Sequence, residues 1–223
     1  MRKQVVTLNI GNYAPEVTCM TLPFLSRFAH KIGAEFNIID RPVFNEASVT
    51  YEKFQLYERS KGYDWTYFID ADALVHPECP DWTDMLDKCT VCFGNRDMSL
   101  NRFRGNGYVR RSKILHGACT WLTVFSDWCR DLWHPMQETT FAECVENIFP
   151  AVHELASGEC RREHLIDDYI VTQNIARYGL KATTTGDLCA LVGKPPLYYF
   201  HLYACSTQHK AEEIRKMMTL WKL

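Results

Sequence analysis

The sequence predicts an α/β protein with a mixed, mostly parallel central sheet flanked by helices. Three observations carry that expectation. Over the first 75 residues, apolar runs of strand length alternate with helical patterns in the order β-α-β-α-β, the arrangement that builds parallel strands with helical crossovers. The run Trp65 to Ile69 is apolar throughout, as a strand covered on both faces requires. No repeat, charge block or Ser/Gly/Pro-rich linker divides the 223 residues, so a single domain over 1–223 is expected.

The elements follow in order. Gln4 to Ile10 reads as the first strand and ends in the turn pair Gly11-Asn12. Pro15 suits a helix start, and Val17, Met20, Phe24, Phe28 and Ile32 then recur at helical spacing until Gly33 stops them. Pro23 inside that pattern predicts a kink or a late start. Ala34 to Ile39 is the second strand, Ser48 to Gly62 a helix, and Trp65 to Ile69 the third strand. Beyond them, Thr90 to Phe93 reads as a short strand and 96–113 as a polar, Arg-rich loop around Gly105-Asn106-Gly107. Ile114 to Phe125 suggests a strand or strand pair, followed by a short helix capped by Ser126 and ending near Pro135. Phe141, Cys144, Val145, Ile148, Phe149, Val152 and Leu155 form one amphipathic stripe stopped by Gly158. Asp167 to Tyr178 reads as a helix stopped by Gly179, Leu197 to Tyr203 as an aromatic strand, and Lys210 to Leu223 as a terminal helix.

Composition narrows the class. With 47% hydrophobic and 23% charged residues, the chain is neither disordered nor collagen-like. The net charge of −2, from 25 basic and 27 acidic residues, supplies no global field for nucleic acid. The basic loop of Arg96, Arg102, Arg104, Arg110, Arg111 and Lys113 is better read as a lid over an active site. No run approaches the roughly eighteen apolar residues of a membrane span. The basic N-terminus lacks a long apolar stretch or a small-residue cleavage site. The ten cysteines are accordingly expected to be reduced and mostly buried, in a soluble, cytoplasmic protein.

Chemistry concentrates where the third strand ends. In an open α/β sheet, ligands bind beyond the carboxyl ends of the strands. There Asp70 and Asp72 bracket the small Ala71. On an extended chain, residues two apart point the same way, so both carboxylates can face one cation. Hard oxygen ligands suit Mg2+ or Mn2+, ions that bridge diphosphate oxygens. The bland alternative is that both aspartates merely cap a turn.

At these residues the chain resembles the GT-A glycosyltransferases, nearest to the retaining, glycogenin-like and galactosyl/xylosyl-type enzymes. The likeness rests on Glu52-Lys53-Phe54-Gln55-Leu56 and on Tyr63-Asp64-Trp65-Thr66-Tyr67-Phe68-Ile69-Asp70-Ala71-Asp72-Ala73-Leu74-Val75. It extends to Thr7-Leu8 with Asn12-Tyr13, to Ile166-Asp167-Asp168-Tyr169, and to His201 after the late strand. The order of these landmarks covers most of the chain. The resemblance implies a single GT-A (Rossmann-like) domain. Its nucleotide-binding half is 1–75, and the acceptor half, with the metal histidine, is 76–223. It implies transfer of a sugar, with retention, from a nucleoside diphosphate sugar such as a UDP-sugar to a glycan or glycoprotein hydroxyl. Asp70, Asp72 and His201 are then the ligands of Mn2+ or Mg2+. Without a membrane anchor, such an enzyme suits a bacterial or virus-encoded protein. Two features depart from the family. The run His201-Leu202-Tyr203-Ala204-Cys205-Ser206 lacks the Gly and Lys-Pro-Trp that contact the diphosphate, and Asp167-Asp168 stands where the family has Asp-Gln.

Each remaining candidate has two readings. His201 among aromatics is a metal ligand or a core side chain. Asp167 and Asp168 stand over the reacting sugar or cap a helix and favour its dipole. Lys53 reaches a phosphate as a point charge or sits solvated on its helix; His209 and Lys210 are the alternative phosphate partners. Tyr13 stacks on the base or packs in the core. Thr7, Asn9 and the small-residue segment His116-Gly117-Ala118 complete the nucleotide-sugar set. Two rivals use the same chain differently: a fold that binds sugar nucleotides or glycans without turnover, and a zinc-stabilised interaction module on His76, Cys79, Cys89 and Cys92. A nucleotidyltransferase is disfavoured because the first loop lacks a Gly-rich run with Arg and Lys.

Overall fold

The computed structural model describes residues 1–44, 48–95, 118–135, 139–149, 161–192, 197–203 and 205–223. Strand β1, Lys3–Leu8, leads into helix α1, Pro15–Lys31, and then into β2, Ala34–Ile39. Pro15 lies in the first helical turn, where its missing N–H costs nothing, and α1 is continuous from there with Pro23 inside it. Gly33 takes the left-handed conformation, φ 66°, that returns the chain into β2.

The segment expected as one helix from Ser48 to Gly62 divides instead into a 3-10 helix, Val49–Gln55, and a short α2, Leu56–Arg59. The reason is burial: Tyr51, Glu52, Lys53, Phe54 and Gln55 all point inward, which the single apolar stripe of an amphipathic α-helix cannot achieve.

Strand β3 is Trp65–Ile69, with all five residues buried. A turn leads to β4, Leu74–Val75, and then β5, Thr90–Phe93. Strand β6, Leu122–Ser126, follows, and the Ser126 hydroxyl caps a 3-10 helix over Asp127–Trp133. Helix α3, Phe141–Glu146, is much shorter than the stripe to Leu155 suggests. Phe149 precedes Pro150, and the proline ring disfavours helical backbone at the residue before it; 150–160 lie outside the described residues. Helix α4 is Ile166–Tyr178, ended by Gly179 at φ 63°. Strand β7, Lys181–Thr184, and helix α5, Thr185–Leu191, follow, the latter held by a capping box of Thr184 and Asp187. The aromatic run expected as a strand over Leu197 to Tyr203 supplies only the two-residue β8, Tyr199–Phe200, ahead of helix α6, Thr207–Leu220.

The main sheet has six strands in the order β2-β1-β3-β6-β5-β7, and β4 pairs with β8 in a second sheet. β1 is parallel to both β2 and β3, and β5 to β7, while β6 runs antiparallel to β3 and β5. Alternation along the strands feeds two cores. Val6, Phe68, Val91, Phe93 and Phe125 pack with Phe54, Trp133 and Tyr169. Val5, Tyr67, Ile69, Cys92 and Val124 pack with Leu25 and Phe28 of α1 and with Trp82. No helix among the described residues is long and apolar enough to cross a membrane.

Candidate active site

Two pairings bring the site together. β1 and β3 are parallel, so their carboxyl ends share one edge of the sheet; β6 is antiparallel, so its amino end lies at that edge, Ile69 facing Leu122. Asp70 leaves β3 there, and its N–H donates to the Trp121 carbonyl at 2.7 Å. Asp70 to Ala73 is a tight turn closed by an Ala73 N–H to Asp70 carbonyl bond of 3.0 Å, not the extended segment that residue spacing suggests. The turn passes into β4, whose Leu74 pairs with Phe200 of β8. His201 follows β8 directly, so this register carries its imidazole back over the two aspartates.

His201 Nε2 stands 3.4 Å from Asp72 Oδ1 and 3.9 Å from Asp70 Oδ2. The other oxygen of each carboxylate belongs to a lysine. Asp70 Oδ1 is 3.0 Å from the Lys53 ammonium, and Asp72 Oδ2 pairs with Lys210. Two oxygens and one imidazole nitrogen therefore converge while the lysines fix the carboxylate planes, the outer-shell support that metal ligands need. One ligand atom from each of the three residues lies within 4.8 Å of the others, and among the described residues this is the one such group of His, Cys, Asp and Glu. Ligands about 2.1 Å from one octahedral ion stand roughly 3–4.2 Å apart, so the spacing and the hard-oxygen-plus-imidazole donor set fit Mn2+ or Mg2+. The Glu78 N–H donates to His76 Nδ1, and His76, Cys79, Cys89 and Cys92 form no cluster among the described residues. The structure thus gives no support to the zinc module.

A buried electrostatic network extends from Asp70 to helix α4. Lys53 is 4% exposed, and its three N–H bonds face Asp70 Oδ1, Asp167 Oδ2 at 2.8 Å and Thr120 Oγ1 at 3.4 Å. In this structure all three ammonium donors of Lys53 face protein acceptors rather than solvent. Burial works against its charge, but Asp167 and Asp70 outweigh it and hold the ammonium protonated far above its ordinary range. Thr120 Oγ1 lies 2.6 Å from Asp167 Oδ2 and 2.8 Å from Asp168 Oδ1, and the Thr120 N–H donates to Asp168 Oδ1 at 2.8 Å. Both α4 acids are thus turned inward by tertiary partners, beyond simple dipole stabilisation. Asp167 Oδ1 is buried with no hydrogen-bond partner, as are Thr7 Oγ1 and Asn9 Oδ1 near the end of β1. Acceptors left this way suit donors from a ligand.

Burial also raises the Asp70 carboxyl, with Lys53 restraining the rise and Asp72 adding to it. For Asp72, burial is outweighed by the His201 hydrogen bond and by Lys210, which hold it well below the usual carboxylate range. Asp168 is pushed up to about 8 by burial and the adjacent Asp167, against the pull of Lys53 and Thr120. One threonine hydroxyl carries one proton and cannot serve two carboxylates at once, and a proton kept by Asp168 removes that shortage. From about pH 4, the ordinary carboxyl value, to about 8, the folded chain holds a proton that the unfolded chain has released. Stability from this group therefore falls as pH rises across that window. Asp168→Asn keeps a neutral side chain of the same shape, so its melting temperature is expected to decline less between pH 5 and 8 than that of the wild type. Identical pH profiles in thermal melts would contradict this.

Lys210 lies in the first turn of α6, which the Ser206 side chain caps; its ammonium also donates to Tyr13 Oη at 3.4 Å. Tyr13 is 46% exposed, between Asn12 and Ala14, which both hold left-handed backbone at φ 54° and 44°. Such strain costs about 1–3 kcal/mol per residue and concentrates at ligand clamps. Ala71 is buried, and its carbonyl accepts a bond from Thr21 Oγ1 of α1. His116, Gly117 and the Arg-rich loop lie outside the described residues. Thr120 and Trp121 belong to this site but escaped the sequence reading. They precede a strand antiparallel to β3, and only knowledge of that pairing puts them beside Asp70.

No protein-family model matches the sequence, and no curated protein matches it either. Among solved structures, one glycosyltransferase involved in the glycosylation of the major capsid of PBCV-1 superposes with a TM-score of 0.58 at 12% identity, covering 97% of this chain and 100% of that one. The chain has a glycosyltransferase fold. In this fold the Asp70–Asp72–His201 group occupies the carboxyl edge of the parallel strands, where α/β folds hold their ligands.

Proposed function

We propose that the chain is a metal-dependent glycosyltransferase that moves a sugar from a nucleoside diphosphate sugar, a UDP-sugar, to a hydroxyl of a glycan or glycoprotein, with retention of anomeric configuration. The observation that carries this reading is the convergence of Asp70, Asp72 and His201 at the ligand-binding edge of a glycosyltransferase fold. These three residues would hold Mn2+ or Mg2+. Bound there, the ion supplies Lewis-acid stabilisation of charge on the departing diphosphate without a protein proton. The local charge balance supports the same reading: among the described residues the carboxyls of Asp70, Asp72, Asp167 and Asp168 outnumber the two ammonium groups, Lys53 and Lys210, that pair with them.

The chain's own groups divide the remaining work. Lys53 holds Asp70 and Asp167 in fixed register, so the metal end and the sugar end of the site keep a constant separation. Lys210, beside Asp72 and Tyr13, supplies positive charge for a diphosphate. Tyr13 offers a face to the nucleoside base, and Thr7 and Asn9 offer free buried acceptors to the nucleoside. Asp167 Oδ1 accepts a hydroxyl of the donor sugar, and its negative charge favours an oxocarbenium-like centre. Asp168, keeping its proton near neutral pH, limits charge repulsion beside it. The 1–75 half supplies the nucleoside contacts and two metal ligands, and the 76–223 half adds His201, Lys210 and the acceptor side.

Incubation with UDP-sugars, Mn2+ and a panel of glycan acceptors, followed by NMR of the first-formed product, tests the reading. A glycoside with the donor's anomeric configuration is expected. An inverted product would refute retention. Binding of the sugar nucleotide without any transfer or hydrolysis would favour the non-catalytic reading.

A further inference from the structure

We propose that Trp121 is a positioning residue for the metal site: its indole orients His201 beside the turn that its backbone carbonyl holds at Asp70, and Gly94 is glycine because the indole needs its space. The proposal rests on the reading of Asp70, Asp72 and His201 as metal ligands and adds what orients them.

The ligands come from distant stretches of chain, 70–72 and 201, and one residue touches both. The His201 imidazole stacks on the Trp121 indole, ring centroids 4.9 Å apart and planes 12° from parallel. The Trp121 carbonyl meanwhile accepts the Asp70 N–H at 2.7 Å. A histidine after a two-residue strand has free χ rotation, and a flat aromatic face removes most of it. Stacking sets the imidazole plane with Nε2 turned towards Asp72 Oδ1 and Asp70 Oδ2. Tyr199 closes a second side of the indole, its ring edge-on at 6.2 Å.

Gly94 completes the device. A Cβ there would lie 2.3 Å from Trp121 Cζ2, 2.4 Å from Cε2 and 2.8 Å from Nε1, distances no side chain tolerates. Gly94 has no room to retreat, because its N–H donates to the Leu122 carbonyl at 3.0 Å and its carbonyl accepts from Thr185 Oγ1 at 2.7 Å. Any side chain at 94 therefore moves the indole, and with it the face on which His201 rests.

The test is Mn2+ binding read by electron paramagnetic resonance, with titration for affinity and nitrogen spin-echo modulation for the histidine contact, on protein checked for folding by circular dichroism. Wild type should bind Mn2+ and show a nitrogen signal that His201→Ala abolishes. Trp121→Leu should weaken binding by roughly tenfold, the lower end for loss of an orienting partner, and diminish the nitrogen signal. Trp121→Phe, which keeps an aromatic face, should stay within about threefold of wild type. Gly94→Ala should behave as Trp121→Leu although the indole is still present, and it carries the test should Trp121→Leu fail to fold. Adding Trp121→Leu to His201→Ala should weaken binding no further. Folded Trp121→Leu or Gly94→Ala protein with wild-type affinity and an undiminished nitrogen signal would overturn the positioning role while leaving the metal reading intact. Wild type that binds no Mn2+ would overturn the metal reading, and this proposal with it.

Discussion

Replacing Lys53 by Met is expected to be the most damaging single change to stability in the site. The ammonium is buried and lies within 3.0 Å of carboxylate oxygens from both Asp70 and Asp167. Met fills the same volume and packs well against Phe68, whose ring lies 5.0 Å from the ammonium, so cavity effects are small. What remains is uncompensated acid in a low-dielectric interior. Removing one partner of a buried ion pair costs about 3–5 kcal/mol, which for a chain of this size lowers the melting temperature by roughly 6–20 °C. The loss should depend on pH. Without the ammonium, Asp70, whose carboxyl burial already raises, is relieved by taking up a proton, so the deficit narrows as pH falls. Lys53→Met combined with Asp167→Asn should recover part of the loss, because the two residues share one interaction. Thermal melts at pH 5 and 8 of the two single variants and the double variant check this. A Lys53→Met protein melting within about 2 °C of wild type at pH 8 would contradict it.

Asp72→Ala should have the largest effect on activity. Asp72 gives one oxygen to the His201 side and the other to Lys210, so its loss removes a proposed metal ligand and frees the ammonium placed for the diphosphate. A single electrostatic donor at a transition state is worth roughly 10²–10³ in rate. Two disturbed together predict a fall in turnover of about 10³ or more, with Mn2+ binding weakened by at least about 100-fold. Because Asp72 is buried and pairs with the buried Lys210, its loss also costs stability, so folding of the variant is checked by circular dichroism at the assay temperature. Initial-rate assays with saturating Mn2+ test it. Full activity in a folded Asp72→Ala protein would remove the aspartate from the mechanism.

How far the sequence carries the account can be read from particular residues. Trp65 to Ile69 announced a central strand because both faces are apolar, and that strand delivers Asp70 to the ligand edge. Gly179 and Ser126 mark true ends and caps because their roles are local. Helix α3 stops at Glu146 although apolar spacing continues past it, and β7 gives no signal because Lys181–Thr184 has no apolar alternation on an edge strand. At the site, Asp70 and Asp72 stand out by residue type and position, His201 through the family resemblance, and the structure brings the three side chains together. The inward turn of Lys53 was not, since it depends on Asp167 lying opposite in space. Thr120, Trp121 and Gly94 act only through the β3–β6 and β5–β6 pairings, and nothing in their own neighbourhoods signals a role.

One measurement tests the central claim most directly: a thermal-shift panel of UDP-, GDP- and CMP-sugars, each with and without Mn2+. A ligand at about 100 times its Kd stabilises by about 2.7 kcal/mol, or roughly 5–11 °C here. The account predicts that shift for UDP-sugars in the presence of Mn2+ and little for any nucleotide sugar in its absence. Equal shifts with and without the metal, or no shift with any of the three nucleotides, would contradict it.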